Sequence, residues 1–187
     1  MVPELLKETE EKMKKALEST RHEFTLIRTG RANPAILEHV KIEAYGSPLP
    51  LNQVAAITVP DPRQLLITPF DRSLLAAIEK AILKSDLNLT PNNDGSNVRI
   101  NIPALNEERR KEMIKQVHQK AEHGRVSIRT VRQEAIKRLQ AAKKDKDNPL
   151  PENDEKRAQD QVQKLVDKYI SEVDQSTKVK EAEMLEV

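Results

Sequence analysis

Three stretches of the chain carry apolar residues at the three-to-four spacing of an amphipathic helix, with charged residues between them. The first helix is predicted over residues 3–29, with Pro3 in its first turn and Gly30 just after its last. The others are predicted over residues 106–145 and 152–186, separated by the helix-breaking sequence NPLP. The positions that face the predicted core are Leu6, Met13, Leu17, Thr20, Phe24 and Ile27; Ile114, Val117, Ala121, Gly124, Ile128, Val131, Ala135, Leu139 and Ala142; and Ala158, Val162, Leu165, Tyr169, Val173 and Ser176. Three helices with one such stripe each predict a three-helix bundle, and the small residues in the second stripe predict that the helices approach closely.

Residues 31–105 lack this long helical period and contain most of the prolines. Strand-like runs lie at residues 40–44, 54–59, 65–68 and 98–102. A short helix capped by Asp71 is predicted after the third run. The chain is therefore predicted to adopt an α+β fold. A long three-helix bundle is formed by residues 1–30 and 104–187, and a small α/β sandwich-like domain of residues 31–103 is inserted between its first two helices.

Two connections join the predicted domains, because the smaller domain is an insertion. A double connection restricts relative motion more than a single linker does, but it still allows a hinge. The hinge is predicted at Thr29, Gly30, Arg31 and Ala32 in the first connection and at Pro103, Ala104 and Leu105 in the second.

The composition and the motifs exclude several classes of site. Charged residues make up 33% of the chain and aromatic residues 2%, and the lack of cysteine excludes disulfides, thiol nucleophiles and cysteine-ligated zinc. The sequence contains no HExxH zinc motif, no GxSxG elbow and no GxxxxGK phosphate loop. Aligning the NNDG turn with a calcium-binding loop puts Asn101 at the position where a bidentate glutamate is required, so we do not predict a calcium site there. We therefore predict no enzymatic activity, no metal and no cofactor.

The N-terminal sequence MVPELLKETEEKMKK is charged almost from its start and lacks the apolar segment of a secretory signal. No stretch approaches the roughly 18 apolar residues that a membrane span requires. The lack of cysteine fits a reducing compartment. A cytoplasmic protein without a membrane partner is the expectation.

Positive charge is concentrated in one segment, although the net charge is only +2. Residues 106–146 contain 13 lysines and arginines against 6 acidic residues, whereas residues 147–187 contain 6 against 11. One side of the second long helix, the basic stripe, consists of Lys111, His118, Arg125, Arg129, Arg132 and Lys143. Because arginine grips phosphate with two donors, this stripe indicates an RNA backbone as partner. The alternative is that its arginines pair with acidic residues of the third helix.

Five segments of the chain form a recognisable set. They are IRTGRANP at residues 27–34, FDRSLLAAIEKAI at 70–82, LNEERRKEM at 105–113, VSIRTVRQEA at 126–135 and KDKDNPLPENDEKRAQDQVQKL at 144–165. Together they resemble the bacterial ribosome recycling factors over essentially the whole chain and in the same order. That coverage makes the resemblance more specific than any single motif.

The resemblance implies an L-shaped molecule with tRNA-like dimensions. Its bundle would bind the large ribosomal subunit across the A and P sites. With elongation factor G and GTP hydrolysis, the molecule would dissociate post-termination complexes from mRNA. The positions that match the family's RNA contacts are Arg28, Arg31, Arg110, Arg125, Arg129 and Arg132. Two departures, His118 and Gln133, stand where some relatives have arginine and reduce the positive charge of this side of the helix.

A helical adaptor or chaperone-like module that binds proteins is the alternative function. Such a module is expected to expose an apolar groove or patch. Each predicted long helix has a single apolar stripe, and the bundle uses it. A ribosome-binding factor that acts as a monomer is therefore the favoured interpretation.

Overall fold

The computed structural model describes residues 1–185, which form three long helices and a lobe of short strands and helices. The helices are α1 (Val2–Thr25), α2 (Leu51–Val54), α3 (Leu75–Lys84), α4 (Glu107–Lys143) and α5 (Glu152–Leu185), with short 3-10 helices at Pro34–Leu37 and Arg72–Leu74. The strands are β1 (Lys41–Ala44), β2 (Ser47–Pro50), β3 (Ala55–Asp61), β4 (Gln64–Pro69), β5 (Pro91–Asn93) and β6 (Val98–Asn101). The predicted α+β class is confirmed.

The described residues divide into two compact units. One combines Met1–Phe24 with Lys115–Ala182 and contains the helical bundle. The other contains Thr25–Ile114 together with the C-terminal end from Glu183. This second unit is larger than the predicted insertion of residues 31–103, because it also includes the start of α4. The assignment of a separate function to each domain stays a prediction.

The core of the bundle is aliphatic and lies on one face of each long helix. Met13 of α1, Ile128 of α4 and Val173 of α5 are completely buried, as the helical spacing predicted. Near the start of α1 the prediction was wrong by one residue, since Leu5 is buried and Leu6 is only half-buried. Because α1 packs against two helices, its buried face is wider than a single line of residues.

The first long helix ends at Thr25, four residues before its predicted end near Thr29. The apolar spacing continues through Ile27, which is buried, so the pattern alone does not mark the end. Nδ2 of Asn33 donates a hydrogen bond to the carbonyl oxygen of Thr25 at 2.9 Å and satisfies a carbonyl in the last turn of the helix. Gly30 then adopts a φ of 78°, in the left-handed region that glycine tolerates.

The other long helices begin and end close to their predicted positions. Oδ1 of Asn106 accepts a hydrogen bond from the backbone N–H of Arg109 at 2.7 Å, as expected of the residue that caps α4. α4 ends at Lys143, two residues before the prediction. α5 begins where predicted and is described to Leu185, so its predicted last residue, Glu186, lies outside the described residues.

The lobe contains an antiparallel sheet in the order β3-β4-β6-β5 and a separate hairpin of β1 and β2. Its completely buried core side chains include Ile42, Leu65, Ile67, Ile78, Ile82, Val98 and Ile100. Asp71 accepts a hydrogen bond from the backbone N–H of Ser73 at 3.0 Å and caps the turn that leads into α3, as predicted. The four predicted strand runs are confirmed. Strands β2 and β5 were not predicted, because both contain proline, which argues against a strand.

Gly124 allows α4 to pass close to α1 within the bundle. A Cβ atom added to Gly124 would lie 3.2 Å from Cβ of Thr20 and closer still to its Oγ1. We expect Gly124→Ala to lower the free energy of unfolding by up to about 2 kcal/mol. Overpacking costs about 1–3 kcal/mol, whereas the helix propensity of alanine returns only about 1 kcal/mol. Chemical denaturation followed by circular dichroism measures the difference.

The double variant Thr20→Ala/Gly124→Ala is the control for this prediction. Removing the hydroxyl and methyl groups of Thr20 makes room for the new Cβ, so the double variant should be at least as stable as Thr20→Ala alone. A Gly124→Ala variant that is more stable than the parent chain would contradict the close approach.

Candidate nucleic-acid interface

The basic stripe lies along α4, which holds its side chains at regular intervals. Most of its members recur seven residues apart, close to two helical turns, and therefore project from one side of the helix. Arg129 and Arg132 are exposed, whereas the side chain of Arg125 is only 20% exposed. The structure brings these predicted arginines together on one side of the helix but gives them different surroundings.

Arg125 is held by acidic groups within the bundle. Its Nε and Nη2 donate hydrogen bonds to Oδ1 of Asp174 in α5 at 2.8 and 2.6 Å, and its Nη1 donates to Oε2 of Glu122 at 3.1 Å. Partial burial by itself would lower the pKa of Arg125, but the hydrogen bonds to these two carboxylates raise it. The contact with Asp174 is the pairing with the third long helix that was left open as the alternative. An RNA contact by Arg125 stays a prediction.

Glu122 lies between two arginines of the basic stripe. Its Oε1 accepts a hydrogen bond from Nη1 of Arg129 at 3.2 Å, while its Oε2 accepts from Arg125. The hydrogen bonds from Arg125 and Arg129 lower the pKa of Glu122, so its carboxylate is charged at neutral pH. This pair partly neutralises Arg129, but the Arg129 side chain remains 53% exposed and open to other partners.

Arg132 differs from the other members of the basic stripe. Within residues 1–185 its guanidinium makes no hydrogen bond or ion pair, whereas every other member has an acidic partner. The pairs are Lys111 with Glu107, His118 with Glu181, Arg125 with Asp174 and Glu122, Arg129 with Glu122, and Lys143 with Glu155. An exposed guanidinium without an internal partner keeps all its N–H donors available for a phosphate group.

The contacts of Arg125 with acidic side chains predict that replacing this residue destabilises the bundle more than a typical surface substitution does. We expect Arg125→Ala to lower the free energy of unfolding by about 1 kcal/mol, because charged hydrogen bonds that link α4 to α5 are lost. Asp174→Asn should lower it by a similar or smaller amount, and the two losses should not add in the double variant. Thermal and chemical denaturation of the three variants measure this coupling.

Arg129→Ala is the matched control, since Arg129 lies on the same helix and shares the partner Glu122 but is more exposed. Its effect should stay within about 0.5 kcal/mol, as is usual for surface positions. Equal losses for Arg125→Ala and Arg129→Ala would show that the contact with Asp174 adds no stability.

Three further predicted RNA contacts, Arg28, Arg31 and Arg110, lie in the second compact unit. Arg31 is exposed, and Arg28 and Arg110 are half-buried. Nη2 of Arg28 donates a hydrogen bond to the carbonyl oxygen of Leu87. Burial, and then the charge of Arg109, lower the pKa of Arg28. Arg28 therefore ties the first connection to the lobe, and its contact with RNA stays a prediction.

Arg109 is a basic residue that the sequence did not single out. It lines a cavity of about 390 Å³ in the second unit together with Arg28, Ile102 and Leu105. The sequence feature that could have indicated Arg109 is the pair of adjacent arginines at the start of α4. Neighbouring residues on a helix point about 100° apart, however, so the pair alone does not show that Arg109 is the one near Arg28.

The first predicted hinge segment, and Ile102 directly before the second, are hydrogen-bonded to the turn between β3 and β4. The backbone N–H of Ala32 donates to the carbonyl oxygen of Pro62 at 2.7 Å, and that of Ile102 donates to the carbonyl oxygen of Arg63 at 2.8 Å. These bonds bring the beginning and the end of the lobe to one turn. Motion at the hinge stays a prediction.

Two other kinds of feature are absent from the described part of the chain. None of its helices has the length and apolar character needed to cross a membrane. Within the same residues, histidine and acidic side chains form no group of three or more that could hold a metal ion.

Residues 20–185 match the family model described as ribosome recycling factor. The chain is 52% identical over 187 residues to the ribosome-recycling factor of Symbiobacterium thermophilum, with 100% of both chains covered. It is 48% identical over 187 residues to the ribosome-recycling factor of Legionella pneumophila (strain Paris), again with 100% of both chains covered.

Two solved structures are similar to this chain over nearly its whole length. The solution structure of a ribosome recycling factor has a TM-score of 0.79 at 39% identity and covers 100% of this chain and 98% of its own. The second holds the T. thermophilus ribosome recycling factor and the E. coli elongation factor G bound to the E. coli post-termination complex. It has a TM-score of 0.68 at 48% identity, with 99% of each chain covered.

Proposed function

The chain belongs to the ribosome recycling factor family, and from that membership we propose that it separates ribosomes after termination. It binds the large subunit through its bundle and, with elongation factor G and GTP, dissociates post-termination complexes from mRNA. The T. thermophilus relative lies with elongation factor G on such a complex, which supports both partners. In this proposal the chain is a cytoplasmic monomer that binds RNA and catalyses no reaction itself.

The observation that carries the proposed rRNA contact is the unpaired guanidinium of Arg132 among residues 1–185. Ribosomal RNA presents rows of phosphates, and a cation that binds them releases counterions from the RNA. Arg132 gives up no internal ion pair when it binds. Arg129 can exchange its exposed contact with Glu122 for a phosphate at a small cost, because exposed pairs contribute about 0–1 kcal/mol.

The rest of the proposed RNA-binding set follows the family's pattern. It consists of Arg28, Arg31, Arg110 and Arg125, and the proposed hinge spans residues 29–32 and 103–105. Arg125 would hold α5 beside α4 and add its remaining positive charge to the interface. Arg28 would keep its hydrogen bond to the carbonyl oxygen of Leu87 and contact RNA with its other N–H donors.

A protein-binding adaptor has less support from the bundle surface. The groove between α1 and α5 is lined mainly by charged side chains, namely Lys7, Glu10, Glu11, Lys14, Glu18, Arg21, Lys168 and Glu172. Exposed apolar residues such as Val126 and Val179 lie on different helices. A groove that receives an amphipathic helix needs a continuous apolar floor.

Two measurements test the proposed function in sequence. Co-sedimentation with purified large subunits should recover the chain in the pellet, with an affinity that falls as salt rises. Light scattering of post-termination complexes should fall only when the chain, elongation factor G and GTP are all present. Failure of the chain to sediment with large subunits at low salt would exclude the proposal. Binding without splitting would show that the chain binds ribosomes but does not recycle them.

A further inference from the structure

The hairpin of β1 and β2 covers only part of α3. This helix packs against β1 and also against β5 and β6, so it lies between the hairpin and the four-stranded sheet. Two paired strands lie only about 4.8 Å apart, whereas a helix with its side chains is about 10–12 Å wide. One flank of α3 is therefore left beside the hairpin without a strand over it.

An open cavity of about 710 Å³ lies between this flank of α3 and β1. Its apolar lining includes Ile36 and Val40, which are buried, and Ala77, Ala81 and Leu87, which are half-buried and pack against the core of the lobe. A cavity of this size can receive several side chains of a partner or one small ligand. We call this cavity and the adjoining edge of β1 the edge groove.

The two outer edges of the hairpin differ in their ability to pair. Pro48 and Pro50 of β2 stand opposite Glu43 and Lys41 of β1. Proline has no N–H, so the outer edge of β2 cannot donate hydrogen bonds at these two positions. Proline on an edge strand is a common protection against pairing with another chain. The strand β1 contains no proline, and its outer edge lacks this protection.

The backbone of β1 presents donors and acceptors at the edge groove. Residues along an antiparallel strand alternate between those that bond to the paired strand and those that do not. The carbonyl oxygen of Val40 accepts a hydrogen bond from the N–H of Leu51 at 3.1 Å, which sets the phase of this alternation. The N–H and carbonyl groups of Lys41 and Glu43 therefore point away from β2. The prolines opposite these two residues, which cannot donate, agree with that phase.

Three lysines line the edge groove and have no acidic partner. Among residues 1–185, the ammonium groups of Lys41, Lys80 and Lys84 make no hydrogen bond or ion pair. Lys80 and Lys84 lie one turn apart on α3, and Lys41 lines the same cavity from β1. The carboxylates of Glu43 and Asp86 line it too. A partner is therefore favoured when it places acidic groups beside the lysines and a basic group opposite Glu43.

We propose that the edge groove binds an extended segment of a partner protein, which adds antiparallel to β1 as the third strand of the hairpin sheet. Backbone hydrogen bonds to Lys41 and Glu43 supply affinity, alternate apolar side chains fill the cavity, and acidic side chains lie beside the lysines. An RNA strand would satisfy the lysines, but it lacks the alternating N–H and carbonyl groups of a peptide. This partner is additional to those of the proposed function.

The test is backbone amide hydrogen exchange of the full chain, measured by NMR with and without the capped peptide EVKVEVE. In the antiparallel register its lysine lies opposite Glu43, the glutamate two residues later lies opposite Lys41, and its valines face the cavity. At a peptide concentration about ten times the dissociation constant, the amides of Lys41 and Glu43 should exchange at least about tenfold more slowly. N-methylation of that lysine and glutamate should abolish the effect, whereas N-methylation of the valines should not, because only the former N–H groups face β1.

Lys41→Glu should weaken binding of the peptide by at least about fivefold, because it turns a cross-strand attraction into a repulsion. Arg63→Glu is the matched control, since it makes the same change of charge at an exposed position of the lobe outside the edge groove. It should leave the affinity for the peptide unchanged. Equal losses for the two variants would show that Lys41 does not contact the peptide and would contradict the proposed register.

Other results would also overturn the proposal. Unchanged exchange at Lys41 and Glu43 with the peptide at millimolar concentration would exclude strand addition, as would equal effects of the two N-methylated peptides. Equal protection by the charge-swapped peptide KVEVKVK or by oligouridylate would exclude selection of an acidic protein segment. Inhibition of ribosome splitting by the peptide would assign the edge groove to the partners of the proposed function. The exchange measurement itself does not depend on ribosome splitting, so the two proposals fail separately.

Discussion

We expect Arg132→Ala to weaken binding to the large ribosomal subunit by roughly 1–3 kcal/mol, about 5- to 150-fold, with almost no change in melting temperature. Arg132 is exposed and has no internal partner among residues 1–185, so its removal breaks no contact within the bundle. The loss comes from charged hydrogen bonds to phosphate. The affinity should also become less dependent on salt, because fewer counterions are released.

Two variants sharpen the test of Arg132. Arg132→Lys should recover only part of the loss, because lysine keeps the charge but lacks the planar fork of donors. Arg157→Ala is the matched control, since Arg157 is another exposed arginine of the bundle with no partner among the described residues. It lies on α5, outside the basic stripe, and should leave affinity unchanged. A lower melting temperature with unchanged affinity for Arg132→Ala would remove Arg132 from the site.

Excision of the lobe should abolish splitting while leaving the bundle able to bind. Residues 31–104 would be replaced by a short flexible linker, and sedimentation and light scattering would be measured on the same preparation. The bundle has its own buried cluster, which consists of Leu5, Ala135, Leu139, Ala158 and Val162. The lobe has a separate core, so each should keep its packing without the other.

The separation of binding from splitting is the point of this experiment. The shortened chain keeps the basic stripe but loses Arg31 and the Leu87 carbonyl that holds Arg28, so some loss of affinity is expected. Arg132→Ala in the full chain is the complementary variant, since it should reduce binding while the lobe stays intact. Splitting by the shortened chain with elongation factor G and GTP would refute the proposed role of the lobe.

Local signals made most of the fold predictable. The helical spacing, the alternating strands and the caps Asp71 and Asn106 depend on residues close together in sequence. The predicted end of α1 was wrong because the side-chain amide of Asn33, eight residues beyond Thr25, donates a hydrogen bond to the carbonyl oxygen of Thr25 in the last turn of the helix. No pattern of apolar residues contains that information.

The candidate site was predictable in position but not in pairing. The seven-residue spacing places Arg125 and Arg132 on one side of a helix, but only folding brings Asp174, 49 residues away, to Arg125. The exposed aromatic residues illustrate the same limit. The spacing of apolar residues shows neither that the side chains of Tyr45 and Phe70 are 74% and 71% exposed nor that Tyr45 has a left-handed backbone.

The insertion of the lobe also sets an order of events while the chain is being synthesised. α1 is made first, but its partners come last: Lys12 pairs with Glu134, 122 residues later, and Glu10 accepts a hydrogen bond from Tyr169, 159 residues later. The four-stranded sheet pairs only residues between 55 and 101. Domains generally fold as units during synthesis, with the N-terminal ones first. We therefore expect the lobe to fold on the translating ribosome before α4 and α5, against which α1 packs, have been synthesised. A protein that acts after termination can thus complete its own three-helix bundle only after α5, the third of its long helices, has been synthesised.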